Sequence, residues 1–118
     1  MKIGGSLKVI GAGISWRRLG HAGSGRRLLQ AVGGDDEQDR LLAGMALVRA
    51  GERSIGLIES AIQAGTAPTQ AVQILADIGG ERARSVLVST AASETGLESA
   101  AIEALDLLDR IARLEDDR

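Results

Sequence analysis

Cysteine is absent from the 118-residue sequence, and histidine occurs once, as His21. The missing thiols exclude disulfide scaffolds, thiolate metal sites and cysteine nucleophiles, and any histidine-based zinc site would rely on His21 alone. Aromatic residues are nearly absent, because the sequence has one tryptophan, Trp16, and no phenylalanine or tyrosine. A core of alanine, leucine, isoleucine and valine favours helices over β-sheets, which prefer aromatic and β-branched residues. We therefore predict one small all-α domain.

Long apolar runs and catalytic motifs are missing as well. No run approaches the roughly 20 apolar residues of a membrane-spanning helix, and no serine has a general base beside it in a recognisable motif. The acidic stretch GGDDEQD, residues 33–39, lacks the spacing of a calcium loop, and its acids suit a helix N-terminus. We accordingly predict no transmembrane segment, no metal, no cofactor, no enzyme activity and a cytoplasmic location.

Charge is divided unevenly along the chain. Residues 1–34 carry six lysines and arginines and no acid, whereas residues 35–118 carry eight arginines and 16 acids. The sums of +6 and −8 give the net charge of −2. Such asymmetry suggests an interaction segment, although the basic end could also pack on the acidic remainder of the chain.

From Asp35 onward the sequence predicts helices separated by glycine turns. In RLLAGMALVRAG, residues Leu41, Met45 and Val48 fall at helical spacing and are expected on the buried stripe. The buried residues predicted for the four later helices are Ile55, Ile58 and Ile62; Ala71, Ile74, Leu75 and Ile78; Ala83, Val86, Leu87 and Ala91; and Leu97, Ala101, Ala104, Leu105, Leu108 and Ile111. The glycines expected to end the first three of these helices are Gly51, Gly65 and Gly79.

Two helix starts have recognisable caps. Thr66 is a suitable N-cap with Pro68 in the first turn of the following helix. Thr95 and Glu98, three residues apart, form the pattern of a capping box.

The helical segments repeat at a regular distance. Leu47 and Leu75 hold equivalent positions 28 residues apart, and Leu105 follows after another 30. A period of about 29 residues with a helix pair in each is typical of an α-solenoid. The residues from Arg26 to Val32 fit the second helix of an earlier unit.

The segment RLLAGMALVRAG also resembles the short HEAT-like repeat of phycobilin-lyase-type proteins. The residues that match this pattern are Arg40, Ala43, Ala46, Leu47 and Gly51. The weaker copies downstream match at Ala71, Leu75, Ile78 and Gly79, and at Ala101, Ala104, Leu105 and Leu108. Pro68 and Glu98 stand where the pattern has arginine. The resemblance implies a right-handed, curved slab of stacked antiparallel helix pairs, whose members act mostly as adaptors and scaffolds.

The predicted fold is therefore a short α-solenoid of about two and a half to three HEAT-like repeats. The repeats are expected over residues 26–114, after a basic, glycine-rich N-terminal arm or cap over residues 1–25 and before an acidic tail over residues 115–118.

The N-terminal stretch VIGAGISWRRLGHAGSGRRLL, residues 9–29, allows three interpretations. Gly11 and Gly13 have the spacing of a dinucleotide-binding loop, but Trp16 fills the third glycine position and would block the packing that glycine permits. The composition also resembles a transit sequence, although so many glycines make a poor amphipathic helix.

The third interpretation is a short bent helix that lies on the first repeat or on another protein. Leu7, Ile10 and Ile14 share a helical face that is expected to make this contact. Trp16 would either fill the core or act as a binding hot spot, since tryptophan and arginine are enriched at binding hot spots.

We predict a non-catalytic protein-interaction or assembly subunit that binds a partner protein through a solenoid face and the basic arm. The candidate partner-binding residues are Trp16, Arg17, Arg18, His21, Arg26, Arg27, Arg53, Glu59, Gln63, Arg82, Arg84 and Ser89. The partner could be a second copy, because a basic end docked on an acidic end gives a head-to-tail homo-oligomer. The alternative is a nucleic-acid-associated accessory protein that uses the basic arm, and a small enzyme is the third possibility.

Overall fold

A computed structural model describes residues 3–20 and 22–116, and within those ranges it contains seven α-helices and no strand. The helices are α1 (Ile3–Leu19), α2 (Ala22–Val32), α3 (Glu37–Ala50), α4 (Glu52–Ala64), α5 (Thr69–Ile78), α6 (Gly80–Ala91) and α7 (Glu98–Asp116). The prediction of an all-α fold is confirmed. In the described part of the chain, no helix is long and apolar enough to cross a bilayer.

The helices lie in two rows. In the first row α1 contacts α3, α3 contacts α5, and α5 contacts α7, while in the second row α2 contacts α4 and α4 contacts α6. Each helix also contacts the next one along the chain, so that the two rows pack against each other. The helices α1 and α7 therefore lie at opposite ends of the first row.

The core lies between the two rows and consists of one cluster of small and aliphatic side chains together with Trp16. The largest fully buried apolar side chains are Leu28, Leu47, Ile55, Ile58, Leu75, Leu87 and Val72. Nearly all the residues predicted as buried stripes of α4, α5 and α6 are buried, with Ile78 and Ala91 half-buried. On these three helices the helical periodicity identified the buried face correctly.

The predicted buried stripe of α3 is wrong. Leu41 and Met45 are exposed, whereas Ala43 and Leu47, on the opposite face of the helix, are fully buried. The helix is apolar on both faces, so its periodicity alone does not identify the inward one. The small residue Ala43 faces the core, where a larger side chain would keep the neighbouring helices apart.

The N-terminal segment is a regular helix of 17 residues rather than a short bent one. The face predicted to contact the first repeat or another protein has Ile10 and Ile14 exposed, so the contact with the first repeat is wrong and the contact with another protein stays a prediction. The side chain of Leu7 lies outside the described residues. The buried face of the helix consists of Val9, Ala12 and Trp16. Helix α1 packs on both α2 and α3 through this buried face. The segment expected to be an extension is thus continuous with the core.

Two element boundaries differ from the predicted ones. Helix α2 begins at Ala22, four residues before the expected start at Arg26. Helix α7 continues to Asp116, so the expected acidic tail begins as the last helical turn. Residues 117 and 118 lie outside the described residues.

The predicted helix ends are largely correct. Gly51, Gly65 and Gly79 follow the last residues of α3, α4 and α5, and their φ angles of 58°, 75° and 72° lie in the region that favours glycine. The cap predicted for α5 is wrong, because Pro68 and not Thr66 precedes its first residue.

Candidate interaction surface

Trp16 lies in the core rather than on the surface. Its side chain is 6% exposed, and its indole N–H donates a hydrogen bond to the Oγ atom of Ser54 on α4, 3.1 Å away. The Ser54 hydroxyl donates in turn to the carbonyl of Leu47 on α3, 2.6 Å away. Because buried polar groups require partners, this chain of hydrogen bonds fixes the ring between three helices. The ring is covered by the chain itself and offers no binding surface to a partner.

Arg53 on α4 also contacts the C-terminal end of α1 beside Trp16. Its Nη1 atom donates to the carbonyls of Trp16 and Arg17, at 2.7 and 3.0 Å, and its Cζ atom lies 5.9 Å from the centre of the Trp16 ring. Carbonyls at a helix C-terminus lack intrahelical partners and carry partial negative charge. Arg53 therefore fastens the end of α1 to α4, and the structure gives it an internal contact where the sequence predicted a partner contact.

Two glycines allow α1 and its neighbours to approach closely. A Cβ atom at Gly13 would lie 2.9 Å from the Cβ of Ala46 on α3, and one at Gly25 would lie 2.9 Å from ring atoms of Trp16. Gly11, by contrast, has open space where its Cβ would stand. The two glycines of the proposed loop, Gly11 and Gly13, lie within helix α1, so the dinucleotide-loop interpretation is wrong.

The four arginines predicted to bind a partner from the N-terminal segment remain on the surface. Arg17, Arg18, Arg26 and Arg27 are exposed, and none of them is in the three ion pairs found among the described residues. Their guanidinium groups are therefore available to an acidic ligand. His21 lies outside the described residues.

Two other predicted arginines form ion pairs between helices. Arg82 on α6 pairs with Glu52 on α4 at 2.9 Å, and Arg84 on α6 pairs with Asp109 on α7 at 2.8 Å. All four side chains are at least two-fifths exposed, and exposed pairs of this kind contribute little to stability. Their partners lie within the chain.

The remaining predicted residues come together. Glu59, Gln63 and Ser89 line one shallow groove between α4 and α6, with a cavity volume of about 70 Å³. This groove belongs to the second row of helices. A neighbouring groove of about 470 Å³ lies between α2 and α4, and Arg26, Leu29 and Leu57 are among its lining residues.

The acidic stretch before α3 acts as a helix cap. Asp36 is the N-cap residue, and its carboxylate accepts a hydrogen bond from the backbone N–H of Asp39 at 2.9 Å. Such a contact satisfies one of the unpaired amides of a helix N-terminus. Within the described ranges, no group of three or more acidic or histidine side chains is placed to hold a metal ion.

A related contact precedes α7. The Oε1 atom of Glu98 accepts hydrogen bonds from the backbone N–H groups of Thr95 and Gly96, at 2.6 and 2.9 Å. The backbone N–H groups of Gly96, of Glu98 itself and of Thr95 lower the pKa of this exposed carboxyl below its ordinary value of 4.5. The glutamate half of the predicted capping box is present. The Thr95 hydroxyl, however, accepts from the N–H of Leu97 and not from that of Glu98.

An apolar patch crosses α1 and α3 on the outer side of the first row. We call it the α1–α3 patch and define it as Ile10, Ile14, Leu41 and Met45, whose exposed fractions lie between 44% and 64%. Met45 lines two adjacent grooves, one between α1 and α3 and one between α3 and α5. Four large apolar side chains exposed side by side differ from isolated ones, which are common on any protein surface.

Positive charge borders this patch. The groove between α1 and α3, with a cavity volume of about 140 Å³, is lined by Arg17 and Arg49 among mostly apolar residues, and none of its described lining residues is a carboxylate. The adjacent groove between α3 and α5 is lined by two arginines, Arg40 and Arg49, and by one carboxylate, that of Asp77. Neither Arg17 nor Arg49 is in an ion pair within the described ranges.

A second exposed apolar group lies on α7. We call it the α7 stripe and define it as Leu107, Ile111 and Leu114, which share one helix face and are 38% to 68% exposed. The groove beside Ile111 is bordered by three carboxylates, those of Asp77, Glu81 and Glu115. Its one arginine, Arg84, pairs with Asp109.

Sequence reasoning missed both apolar groups for different reasons. It assigned Leu41, Met45 and Ile111 to buried stripes, which is wrong because all three are exposed, and it did not consider Leu107 and Leu114. The available signal was that α3 has more apolar residues than one face can hold, with Leu41 and Met45 on one side and Ala43 and Leu47 on the other. An excess of this kind indicates that one apolar face stays outside the core.

Comparisons of the chain with protein-family models, with curated proteins and with solved structures each find no match. The function is therefore inferred from the surface itself.

Proposed function

We propose that this chain is a short α-solenoid of HEAT-like repeats that acts as a non-catalytic interaction or assembly subunit. The helix contacts support the solenoid, since the odd-numbered and even-numbered helices contact in two separate rows, as stacked helix pairs do. The repeat period of about 29 residues in the sequence supports it independently.

The α1–α3 patch is the observation that carries the proposed function. Its four members are the kind of residue that proteins keep out of water, and they lie together on helices α1 and α3. Contiguous apolar surface on a small domain is typical of a protein-binding site. Arg17 and Arg49 give this site a polar rim, as protein interfaces commonly have.

Binding would combine shape complementarity at the patch with electrostatic steering. The exposed arginines of α1 and α2, Arg17, Arg18, Arg26 and Arg27, would attract an acidic partner and orient it before contact. The groove lined by Glu59, Gln63 and Ser89 offers a second, polar contact area on the other row.

Nucleic-acid binding is the second candidate, and the unpaired arginines of α1 and α2 are the observation that favours it. Contacts to phosphates release counterions, so such binding weakens steeply as the salt concentration rises. A titration with generic DNA and RNA at low salt tests it. Absence of binding at low salt would eliminate the nucleic-acid function and leave the protein-binding one.

The protein-binding function is tested by capture from an extract of the native source. The bait proteins are the wild type, the patch variant Ile14→Glu with Met45→Glu, and Val88→Glu as the control. Val88 is also an exposed apolar residue, but it lies on α6 in the second row. Circular dichroism establishes that all three are folded.

We expect a protein that is retained by the wild type and by the control and is lost with the patch variant. The reason is that a carboxylate buried against apolar groups without a partner opposes binding. Capture of the same proteins by all three baits would contradict the proposed function.

A further inference from the structure

We propose that the occupant of the α1–α3 patch is the α7 stripe of a second copy of this chain. This inference rests on the proposed function, because it names the partner of the same patch. It is carried by three features of the two surfaces, which are their shapes, their charges and their positions in the fold.

The shapes are those of a ridge and a groove. Leu107, Ile111 and Leu114 follow one another at intervals of four and three residues, so that they form a ridge along one side of α7. The patch contains a groove between α1 and α3. An amphipathic helix that lays such a ridge into an apolar groove is a recurrent form of protein recognition.

The charges are opposite. The groove between α1 and α3 contains Arg17 and Arg49 and no carboxylate among its lining residues. The groove beside the α7 stripe contains the carboxylates of Glu81 and Glu115, and Asp77 lies between the two surfaces because it lines both this groove and the one between α3 and α5. Among the described lining residues the one arginine, Arg84, is paired with Asp109. Contact between copies would therefore place unpaired cations opposite unpaired anions, whereas contact between two patches would place arginines against arginines.

Because the patch and the stripe lie at different places in the fold, the contact between two copies joins two different surfaces. The patch lies on α1 and α3 at one end of the first row, and the stripe lies on α7 at the other end. When one copy binds the next through these surfaces, each pair retains one free patch and one free stripe. Such a heterologous contact extends into a chain of copies unless the rotation between them closes a ring.

Sedimentation velocity of the full-length protein tests the inference with two complementary variants. The patch variant is Ile14→Glu with Met45→Glu, and the stripe variant is Leu107→Glu with Leu114→Glu. A second patch variant, Arg17→Glu with Arg49→Glu, reverses the rim charge but keeps the apolar surface. Circular dichroism establishes folding before each measurement.

We expect the wild type to associate in a concentration-dependent way. Each variant alone should associate about thirty-fold more weakly, which is the effect of losing an interface hot spot. An equimolar mixture of a patch variant and the stripe variant should form a dimer that does not extend, because the mixture contains one intact patch and one intact stripe per pair.

A wild type that stays monomeric up to millimolar concentration, or a mixture that stays monomeric, would overturn the inference. Failure of the inference is distinguishable from failure of the proposed function. If the chain is monomeric but the patch variant still loses a captured protein, only the second-copy inference is wrong. If capture is also unchanged, both are wrong.

Discussion

The indole N–H of Trp16 on α1 and the hydroxyl of Ser54 on α4 are hydrogen-bonded at 3.1 Å across 38 residues of sequence. This contact joins the only tryptophan of the chain to a serine whose own proton is donated to the carbonyl of Leu47. The α1 helix is therefore connected to α3 and α4 by a polar contact inside an otherwise aliphatic core. The same arrangement turns Ile10 and Ile14 outward and so helps to create the α1–α3 patch.

Replacing Ser54 tests the importance of this contact. We expect Ser54→Ala to lower the free energy of unfolding by about 1–3 kcal/mol, because the buried indole N–H is left without a partner. The control is Ser60→Ala, an exposed serine on the same helix, which should change it by no more than about 0.5 kcal/mol. Chemical denaturation measures both. Equal, small effects would mean that Trp16 does not depend on Ser54.

Two glycines of α1 provide a matched pair for the close approach of α1 to α3. Gly13→Ala should destabilise the protein by about 1–3 kcal/mol, because its Cβ would overlap the Cβ of Ala46 and neither atom can rotate away. Gly11→Ala should stabilise it by about 0.5–1 kcal/mol, since its Cβ meets open space and alanine favours a helix. Thermal denaturation should show shifts of opposite sign, and a stabilising Gly13→Ala would refute the close packing.

Arg53 is predicted to stabilise the end of α1. Arg53→Ala should cost about 1–2 kcal/mol of unfolding free energy, because it removes charge-assisted hydrogen bonds to two carbonyls. Arg82→Ala is the control, since it breaks an exposed ion pair of the kind that contributes about 0–1 kcal/mol. Urea titrations measure the unfolding free energy of both variants, and we expect the larger loss for Arg53→Ala. A larger loss for Arg82→Ala would assign Arg53 no structural role.

Glu98 is predicted to make the free energy of unfolding depend on pH in the acid range. Its pKa is lower in the folded chain than the ordinary value of 4.5, chiefly through the N–H of Gly96. The ionised form is therefore stabilised by folding, and its contribution is present above pH 4.5 and is lost as the pH falls through the lowered folded pKa. The control residue Glu103 is an exposed carboxylate of the same helix.

The measurement is the unfolding free energy of the wild type and of Glu98→Gln between neutral pH and pH 3. The difference between the two should shrink as the pH falls, and the same measurement on Glu103→Gln is the control. A difference that stays constant over this range would refute the role of the Glu98 carboxylate.

The sequence predicted much of this fold because several local signals agreed with one another. The stripe of Ile55, Ile58 and Ile62 is buried as expected, and the helix-ending glycines Gly51 and Gly65 have the positive φ angles that glycine tolerates. In both cases the residue type and the local geometry require the same structure. No distant contact is needed to identify them.

The orientation of α1 and α3 was not predictable in the same way. Leu41 and Met45 have the periodicity of a buried stripe, but the core takes up Ala43 and Leu47 instead. Which face of α3 packs into the core depends on two contacts with α1. Gly13 lies close to Ala46, and Trp16 is hydrogen-bonded to Ser54. These contacts join residues that are 33 and 38 positions apart, beyond the reach of helical periodicity.

The oxidation rate of Met45 tests most directly whether the α1–α3 patch is a binding surface. Met45 is 44% exposed in the single chain, so hydrogen peroxide should convert its thioether to the sulfoxide readily. Peptide mass spectrometry follows this rate in the dilute chain, in the bound state obtained by capture or self-association, and in Ile14→Glu. We predict that oxidation of Met45 slows in the bound state and stays at the dilute rate for Ile14→Glu. An equal rate for the wild type in the dilute and bound states would contradict binding at this patch.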